Sequence, residues 1–341
     1  MSELVSVVIV AYHQRADLER LLPTMPAAST GPLEILVVDN GSPSDPGDDT
    51  RAWLQASHPA VRVLGMDANL GYGAANNLGV LEARGEWVLV LNPDTELTSG
   101  AIDQLLAGVK PGTFANPCLL LPDGRVNALG LSISPGGVAT CQGLYERAPR
   151  DLSPRPVAAL SGAAILGRRQ DWLAVGGFVP EFFLYGEDVE WSQRARIRGF
   201  ELLCVPAARV VHRYRAEIPP QKWFCLAKNR RLMVELVLEP STRRRLRPVW
   251  VLTSVALLVY AARRGPRYLA ADLAAALWVW RRRHWVARLA ARMAAHRRLA
   301  DRDLLERWVG RVSAQPDGRP VGGTPGRWYE AAVQRLADRL S

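Results

Sequence analysis

The first hundred residues alternate between two kinds of hydrophobic pattern. "VSVVIVAY" (Val5 to Tyr12) is an unbroken apolar, β-branched run, and a helix-like stretch follows it through Leu22. "LEILVVDNGS" repeats the strand signal, and Asp48–Ser57 reads as a helix. "VRVLGM" gives a third strand, Ala74–Ala83 a third helix and "EWVLVLN" a fourth strand. Strands that are apolar along their whole length are covered on both faces, and the helices between them supply the cover. The pattern predicts an α/β fold with a mostly parallel central sheet. Ligands of such sheets sit outside the carboxyl ends of the strands. Asp39 and Asp94 both stand at such an end.

From about residue 113 the pattern changes. "CLLLPDGRVNALG" carries a Pro-Asp-Gly turn and predicts a hairpin. Ser134–Pro156 is rich in Gly, Pro and Arg and reads as a loose loop. "VAALSGAAILGRR" is strand-like, Glu187–Gly199 reads as a helix stopped by its glycine, and "ELLCVPAARVVHRY" supplies a last strand. Beyond Pro220 the chain is almost entirely helical and arginine-rich. This division predicts a catalytic domain over 1–220 and a basic helical region over 221–341.

Charge sharpens that boundary. The whole chain of 341 residues carries a net charge of +10. Residues 1–220 hold 18 Lys and Arg against 24 Asp and Glu, whereas residues 221–341 hold 25 against 9. An acidic body with a basic tail implies an anionic partner for the tail, either nucleic acid or a phospholipid surface. The four cysteines are far apart and form no CxxC pair, which argues against a zinc site and fits a reducing, cytoplasmic setting. "MSELVSVVIVAY" has an acidic residue where a signal peptide has basic ones, and its apolar run is short.

Each candidate chemical group has a bland reading beside the functional one. "GYGAAN" (Gly71–Asn76) is not a dinucleotide fingerprint, because it follows the third strand and Asn76 replaces the last glycine. It is either a tight turn into a helix or a place where Asn69 and the glycines admit a phosphorylated ligand. Asp39 in "VVDNGS" is a turn-former or a ligand group. Asp94 in "LNPD" is a loop carboxylate or a cation ligand. Two carboxylates on one sheet edge suit a nucleotide with a hard divalent cation. In "FLYGEDVEW", Glu187, Asp188 and Glu190 crowd a helix start, where the dipole favours acids, yet three exceed what capping needs. One of them facing a substrate would serve as a general base. His212 ends a strand, where a lone histidine is more often structural.

Taken together, "VSVVIVAYHQ", "LEILVVDNGSPSD", "NLGYGAANNLG", "EWVLVLNPDTEL", the run from "SGAAILGRRQ" through "GEDVEWSQRARIRGF", and "VVHRY" resemble the inverting glycosyltransferases of family 2. The match runs from about residue 4 to 214, nearly two thirds of the chain. "LNPD", with Asn92 in place of the first acid of the family's DxD, is similar to the subgroup containing bacterial rhamnosyltransferases. The resemblance implies a GT-A fold and a nucleotide-sugar donor: dTDP-rhamnose by preference, a UDP- or GDP-hexose as the alternative. It implies that Ala11, Asp39, Asn69, Gly71, Asn92 and Asp94 line the donor site. It also implies that Asp94 and His212 meet Mg²⁺ or Mn²⁺, and that Asp188 is the catalytic base with Glu187 beside it. Gly162, Gly177, Phe178 and Trp191 would face the acceptor, a cell-surface glycan or polyprenyl-linked sugar.

The tail bears on the partner. Between Arg247 and Arg263 lie about 15 mostly apolar residues, against the roughly 20 of a bilayer span. Trp278, Trp280 and Trp285 follow among arginine clusters, the composition of helices that lie on anionic membranes. The expected location is therefore peripheral, on the inner face of the cytoplasmic membrane. A solvated basic bundle is the plain alternative. A nucleic-acid-binding protein is the rival of another class; the acidic first part and the absence of a nucleic-acid motif argue against it.

Overall fold

The computed structural model describes residues 3–42, 49–214 and 217–308. The strands are β1 (Val5–Ala11), β2 (Leu33–Asn40), β3 (Arg62–Met66), β4 (Trp87–Leu91), β5 (Thr95–Leu97), β6 (Thr113–Leu120), β7 (Val126–Ala128), β8 (Leu131–Ile133), β9 (Ala139–Cys141), β10 (Arg155–Pro156), β11 (Ala164–Arg168) and β12 (Glu201–His212). The helices are α1 (Arg15–Leu21), α2 (Met25–Ala28), α3 (Thr50–Ser57), α4 (Tyr72–Glu82), α5 (Ala101–Ala107), α6 (Arg169–Val175), α7 (Glu187–Ile197), α8 (Pro220–Val237), α9 (Pro240–Arg264), α10 (Pro266–Arg281), α11 (Arg283–Ala294) and α12 (Asp301–Leu305). They fall into two compact units. The first comprises 1–130, 142–184 and 200–214; the second comprises 131–141, 185–199 and 215–341.

In the first unit one sheet runs in the order β10-β12-β6-β11-β4-β1-β2-β3, with β5 beside β12 and β7 beside β6. The four strands read from the sequence as parallel are parallel, with β1 between β2 and β4 and β3 at the edge. All residues of β1 and β4 are buried, as their unbroken apolar runs require. The later half is mixed: β11 runs antiparallel to β4 and β6, and β12 runs parallel to β6. Strand order reverses between β1 and β4, and such a reversal is where open α/β sheets place their ligands. Helix α4 lies so close to β1 that a Cβ on Gly79 would stand 2.2 Å from Val8 Cγ1. That glycine sets the height of the helix over the sheet.

Among the described residues, the second unit's regular structure is helical apart from the β8–β9 hairpin. The hairpin corrects the expected loose loop over Ser134–Pro156. Its Pro135-Gly136-Gly137 turn, with Gly137 at φ +75°, is held by groups from helices far along the chain. Trp250 Nε1 donates to the Pro135 carbonyl at 3.1 Å and Arg230 Nη1 to the Gly136 carbonyl at 2.9 Å. Arg231 Nη2, on α8, donates to Asp272 Oδ2, on α10, at 2.8 Å. Trp308 Nε1 donates to Gln193 Oε1 of α7 at 2.9 Å.

The Gly79–Val8 contact is testable. Gly79→Ala should destabilise the chain by about 1–3 kcal/mol, the usual cost of overpacking. Adding Val8→Ala should cost less than the sum of the two single changes, because each relieves the other. Additive losses in urea denaturation would contradict the close approach.

Candidate active site

Ala11 and Asp39 are register partners at the carboxyl ends of β1 and β2. Asp39 is fully buried, which a carboxylate tolerates only with partners. Its Oδ2 accepts from Arg51 Nε at 2.7 Å and its Oδ1 from the Ser42 amide at 3.2 Å. Arg51 reaches it across Gly65, the register partner of Asp39 on β3. A Cβ at Gly65 would stand 2.2 Å from the guanidinium carbon, so a side chain there would push Arg51 from the position in which it meets Asp39. Glycine inside a strand, a mark of close approach, is the one sequence signal that points to Arg51.

Asn69 and Gly71 belong to a small network at the start of α4. Asn40 Nδ2 donates to Asn69 Oδ1 at 3.0 Å, and the Gly71 amide donates to the same oxygen at 2.8 Å. The Leu70 amide donates to Asn40 Oδ1 at 2.9 Å. Gly71 has φ +82°, and a Cβ there would lie 2.5 Å from the Phe183 carbonyl oxygen. That carbonyl accepts from the Tyr72 amide at 2.8 Å. The group that approaches Gly71 is thus the protein's own backbone, where the sequence reading allowed a phosphate.

Asn92 and Asp94 follow the buried strand β4. The Asn92 amide donates to the Ala163 carbonyl at 2.9 Å. Asn92 Oδ1 is buried with no hydrogen-bond partner among the described residues. Antiparallel pairing of β5 with β12 sets His212 opposite Thr95, and the Arg213 amide donates to the Asp94 carbonyl at 2.9 Å. His212 Nε2 comes to 3.4 Å from Asp94 Oδ1. Its Nδ1 lies 2.8 Å from Asn127 Oδ1. When Asn127 Oδ1 is the acceptor in this contact, the proton is on Nδ1 and the Nε2 lone pair faces the carboxylate. Two electron-rich groups so close call for a cation or a proton between them. Among the described residues no three His, Cys, Asp or Glu side chains gather into a metal cage. Mg²⁺ and Mn²⁺ suit this sparse donor set, because magnesium-like ions take one or two protein groups and complete their shell with water and phosphate oxygens. Asn127 is a residue the sequence pattern gives no reason to select.

The expected acceptor-side residues make contacts within the protein. The Gly162 carbonyl accepts from the Tyr72 hydroxyl at 2.5 Å. Gly177, at φ +65°, passes so near α4 that a Cβ would lie 2.7 Å from Asn77 Oδ1. The Phe178 amide donates to Asn77 Oδ1 at 2.7 Å, and Asn77 Nδ2 donates back to the Phe178 carbonyl at 2.8 Å. Phe178 itself is buried against Tyr72 and Trp172. Trp191 is also fully buried and offers an acceptor no surface.

In the second unit, α7 begins after Gly186 with its three acids in the first turn. They differ in state. Glu190 is fully buried and held bidentately by Arg194, at 2.8 and 2.9 Å. Glu187 is buried, and burial, reinforced by the Asp188 charge, pushes its carboxyl up from 4.5 to about 8, with Lys228 opposing. Asp188 is half-buried, with Oδ1 accepting from the Val189 amide at 2.8 Å. The approach to this helix is strained: Phe183 and Tyr185 have φ of +63° and +66°, rare for residues with side chains.

Residues 6–122 match the sequence pattern described as glycosyl transferase family 2. An N-acetylglucosaminyl-diphospho-decaprenol L-rhamnosyltransferase of Mycobacterium tuberculosis is 34% identical over 239 residues, which cover 62% of this chain and 76% of that protein. The chain belongs to glycosyltransferase family 2. A low-salt glycan biosynthesis hexosyltransferase of Haloferax volcanii is 28% identical over 201 residues, 56% of this glycosyltransferase and 61% of that protein. The crystal structure of GalNAc-T7 with UDP, GalNAc and Mn²⁺ superimposes with a TM-score of 0.56 at 17% identity. The alignment covers 72% of this chain and 51% of that one, so this glycosyltransferase spans about half its length and the likeness is one of fold. The fold is GT-A, as the resemblance implied.

The state of Glu187 gives a pH test. Between pH 4.5 and about 8 the folded glycosyltransferase keeps a proton on Glu187 that the unfolded chain releases. This contribution to stability is therefore complete below the unfolded value and is lost as pH rises toward the folded one. Glu187→Gln keeps the neutral shape and removes the titration. Over pH 5–8 the melting temperature of the wild type should fall relative to that of the variant. Parallel curves would mean that folded Glu187 keeps no extra proton over this window.

Proposed function

We propose that this glycosyltransferase moves L-rhamnose from dTDP-rhamnose, with inversion, to a lipid-linked acceptor at the inner face of the cytoplasmic membrane. The observation that carries the substrate assignment is the 34% identity to a rhamnosyltransferase whose name specifies an N-acetylglucosaminyl-diphospho-decaprenol acceptor. The family resemblance supplies the nucleotide. Ala11, Asp39 and Asn69 hold the nucleoside end of the donor, and Asp94 and His212 would hold a Mg²⁺ or Mn²⁺ ion at its diphosphate end. The cation, when bound, offsets the charge that grows on the diphosphate as the glycosidic bond breaks. Asn92, next to Asp94, has a buried amide oxygen without a partner among the described residues, which a donor group can satisfy.

Asp188 is the general base in this reading. It accepts the proton of the acceptor hydroxyl, whose oxygen attacks the anomeric carbon on the face opposite the leaving diphosphate. The product is therefore inverted. The condition of its neighbours supports the choice. Glu190 is committed to Arg194, and Glu187 holds its proton at neutral pH. A neutral Glu187 also spares Asp188 a second negative charge on the same helix turn.

Asp188→Asn should retain donor binding and lose transfer by about 10²–10⁴-fold, the usual worth of a positioned base. The assay is transfer from dTDP-L-rhamnose, UDP-glucose or GDP-mannose to a polyprenyl-diphosphate-linked N-acetylglucosamine. Rhamnosyl transfer that is lost in the variant supports the proposal. Near-normal turnover in the variant would move the base to Glu187 or Glu190. Faster transfer from UDP-glucose or GDP-mannose would remove the rhamnosyl assignment.

A further inference from the structure

The second unit contains a cavity of 540 Å³ lined by α8, α9, α10 and α11. Four guanidinium groups line it, from Arg230, Arg231, Arg243 and Arg283, whereas Glu235 is the one carboxylate in the lining. Glu235 pairs with Arg243, and Asp272, just behind the wall, pairs with Arg231. These two acids leave the cavity with an excess of positive charge. Arg283 has no carboxylate partner among the described residues; it donates to the Trp280 carbonyl at 3.2 Å and lies over the Trp280 ring at 5.0 Å. Trp250 and Trp280 form part of the apolar wall.

An apolar stripe starts at the rim of this cavity. Leu273, Leu277 and Trp280 recur along one face of α10 at helical spacing and are 53%, 44% and 60% exposed. Trp280 belongs to both the stripe and the cavity lining. A second stripe on α9, Val251, Val255 and Val259, is similarly exposed. By length and composition α9 is apolar enough to cross a membrane, yet arginines crowd its ends, among them Arg247, Arg263 and Arg264. Surface helices of a solvated bundle carry polar residues at such positions, and apolar rows that remain in water mark an interaction surface.

One ligand chemistry uses both features. Guanidinium groups bind phosphate oxygens in bidentate fashion. Apolar rows beside them take up hydrocarbon, and tryptophan sits where the two meet. A nucleic acid or a free phosphate would occupy the arginines and leave the leucines and valines in water. Stripes on two separate helices exceed what one lipid chain covers, so a bilayer leaflet is the better fit than a single prenyl chain. We propose that the cavity seats the phosphate of an anionic phospholipid of the membrane surface, with the α9 and α10 stripes immersed at the headgroup boundary. The proposal deepens the membrane part of the proposed function and rests on it only there, because it is independent of the donor sugar.

The test is sedimentation of the full chain with vesicles of phosphatidylcholine, with or without phosphatidylglycerol. Wild type should bind the anionic vesicles at least ten-fold more tightly. Arg283→Gln should weaken that binding about five-fold, the worth of one basic side chain near a charged surface. Leu277→Asp should abolish it on both vesicle types. Donor hydrolysis, measured on the same preparations, should be unchanged in both variants, which shows them folded and separates failure here from failure of the donor assignment. Equal binding to neutral and anionic vesicles, or undiminished binding of Arg283→Gln, would overturn the proposal. Stoichiometric competition by a soluble short-chain prenyl diphosphate would also overturn it and give the cavity to the acceptor.

Discussion

The antiparallel pairing of Thr95–Leu97 with Val210–His212 is the contact on which the meeting of Asp94 with His212 depends. It joins the loop after the buried strand β4 to the last residue of the longest strand, and so brings Asp94 to His212. Strand geometry makes this pairing strict, because a slip of one residue turns every side chain to the other face. His212 would then lose both Asp94 and Asn127. The bulge in β12 between Val205 and Arg209 absorbs one mismatch with β6 before that point is reached. A carboxylate held this way loses little conformational freedom when a charged ligand arrives.

The acids are managed by burial and pairing. Asp39 is fixed by Arg51 and Ser42, Glu190 by Arg194, and Glu187 by keeping its proton. Asp94 and Asp188 are left partly accessible, and they are the two that the proposed function gives a cation and a proton. The basic charge is concentrated in the helices beyond residue 220, away in sequence from these acids.

Much of the sheet was legible because β1, β2 and β4 are apolar on both faces, a pattern few other structures produce. The direction of β11 was not legible, since an apolar run carries no sign of whether it runs parallel or antiparallel. The β8–β9 hairpin was missed because its turn is held by Arg230 and Trp250, contacts that local composition cannot reveal. Helix α4 begins at Tyr72 rather than Ala74 because Gly71, at positive φ, opens it earlier than the apolar pattern suggested. The acids could be named from their positions at strand and helix ends, whereas His212 was singled out only by the family resemblance. Asn127 could not be named, because its role exists only through a contact with a strand distant in sequence, and Arg51 had no signal beyond the glycine at 65. Trp191 stands beside the acids in sequence, and its side chain is fully buried, which its neighbours in sequence do not reveal.

The central claim is that Asp94 and His212 act together on the diphosphate through a divalent cation. Calorimetric titration of dTDP, with Mn²⁺ and then with chelator, tests it most directly on wild type, Asp94→Asn, His212→Ala and the double variant. The account predicts that chelation and each single change weaken nucleotide binding, and that the double change costs less than the sum of the two because they share one cation. Nucleotide affinity indifferent to chelator, or losses that simply add, would contradict it.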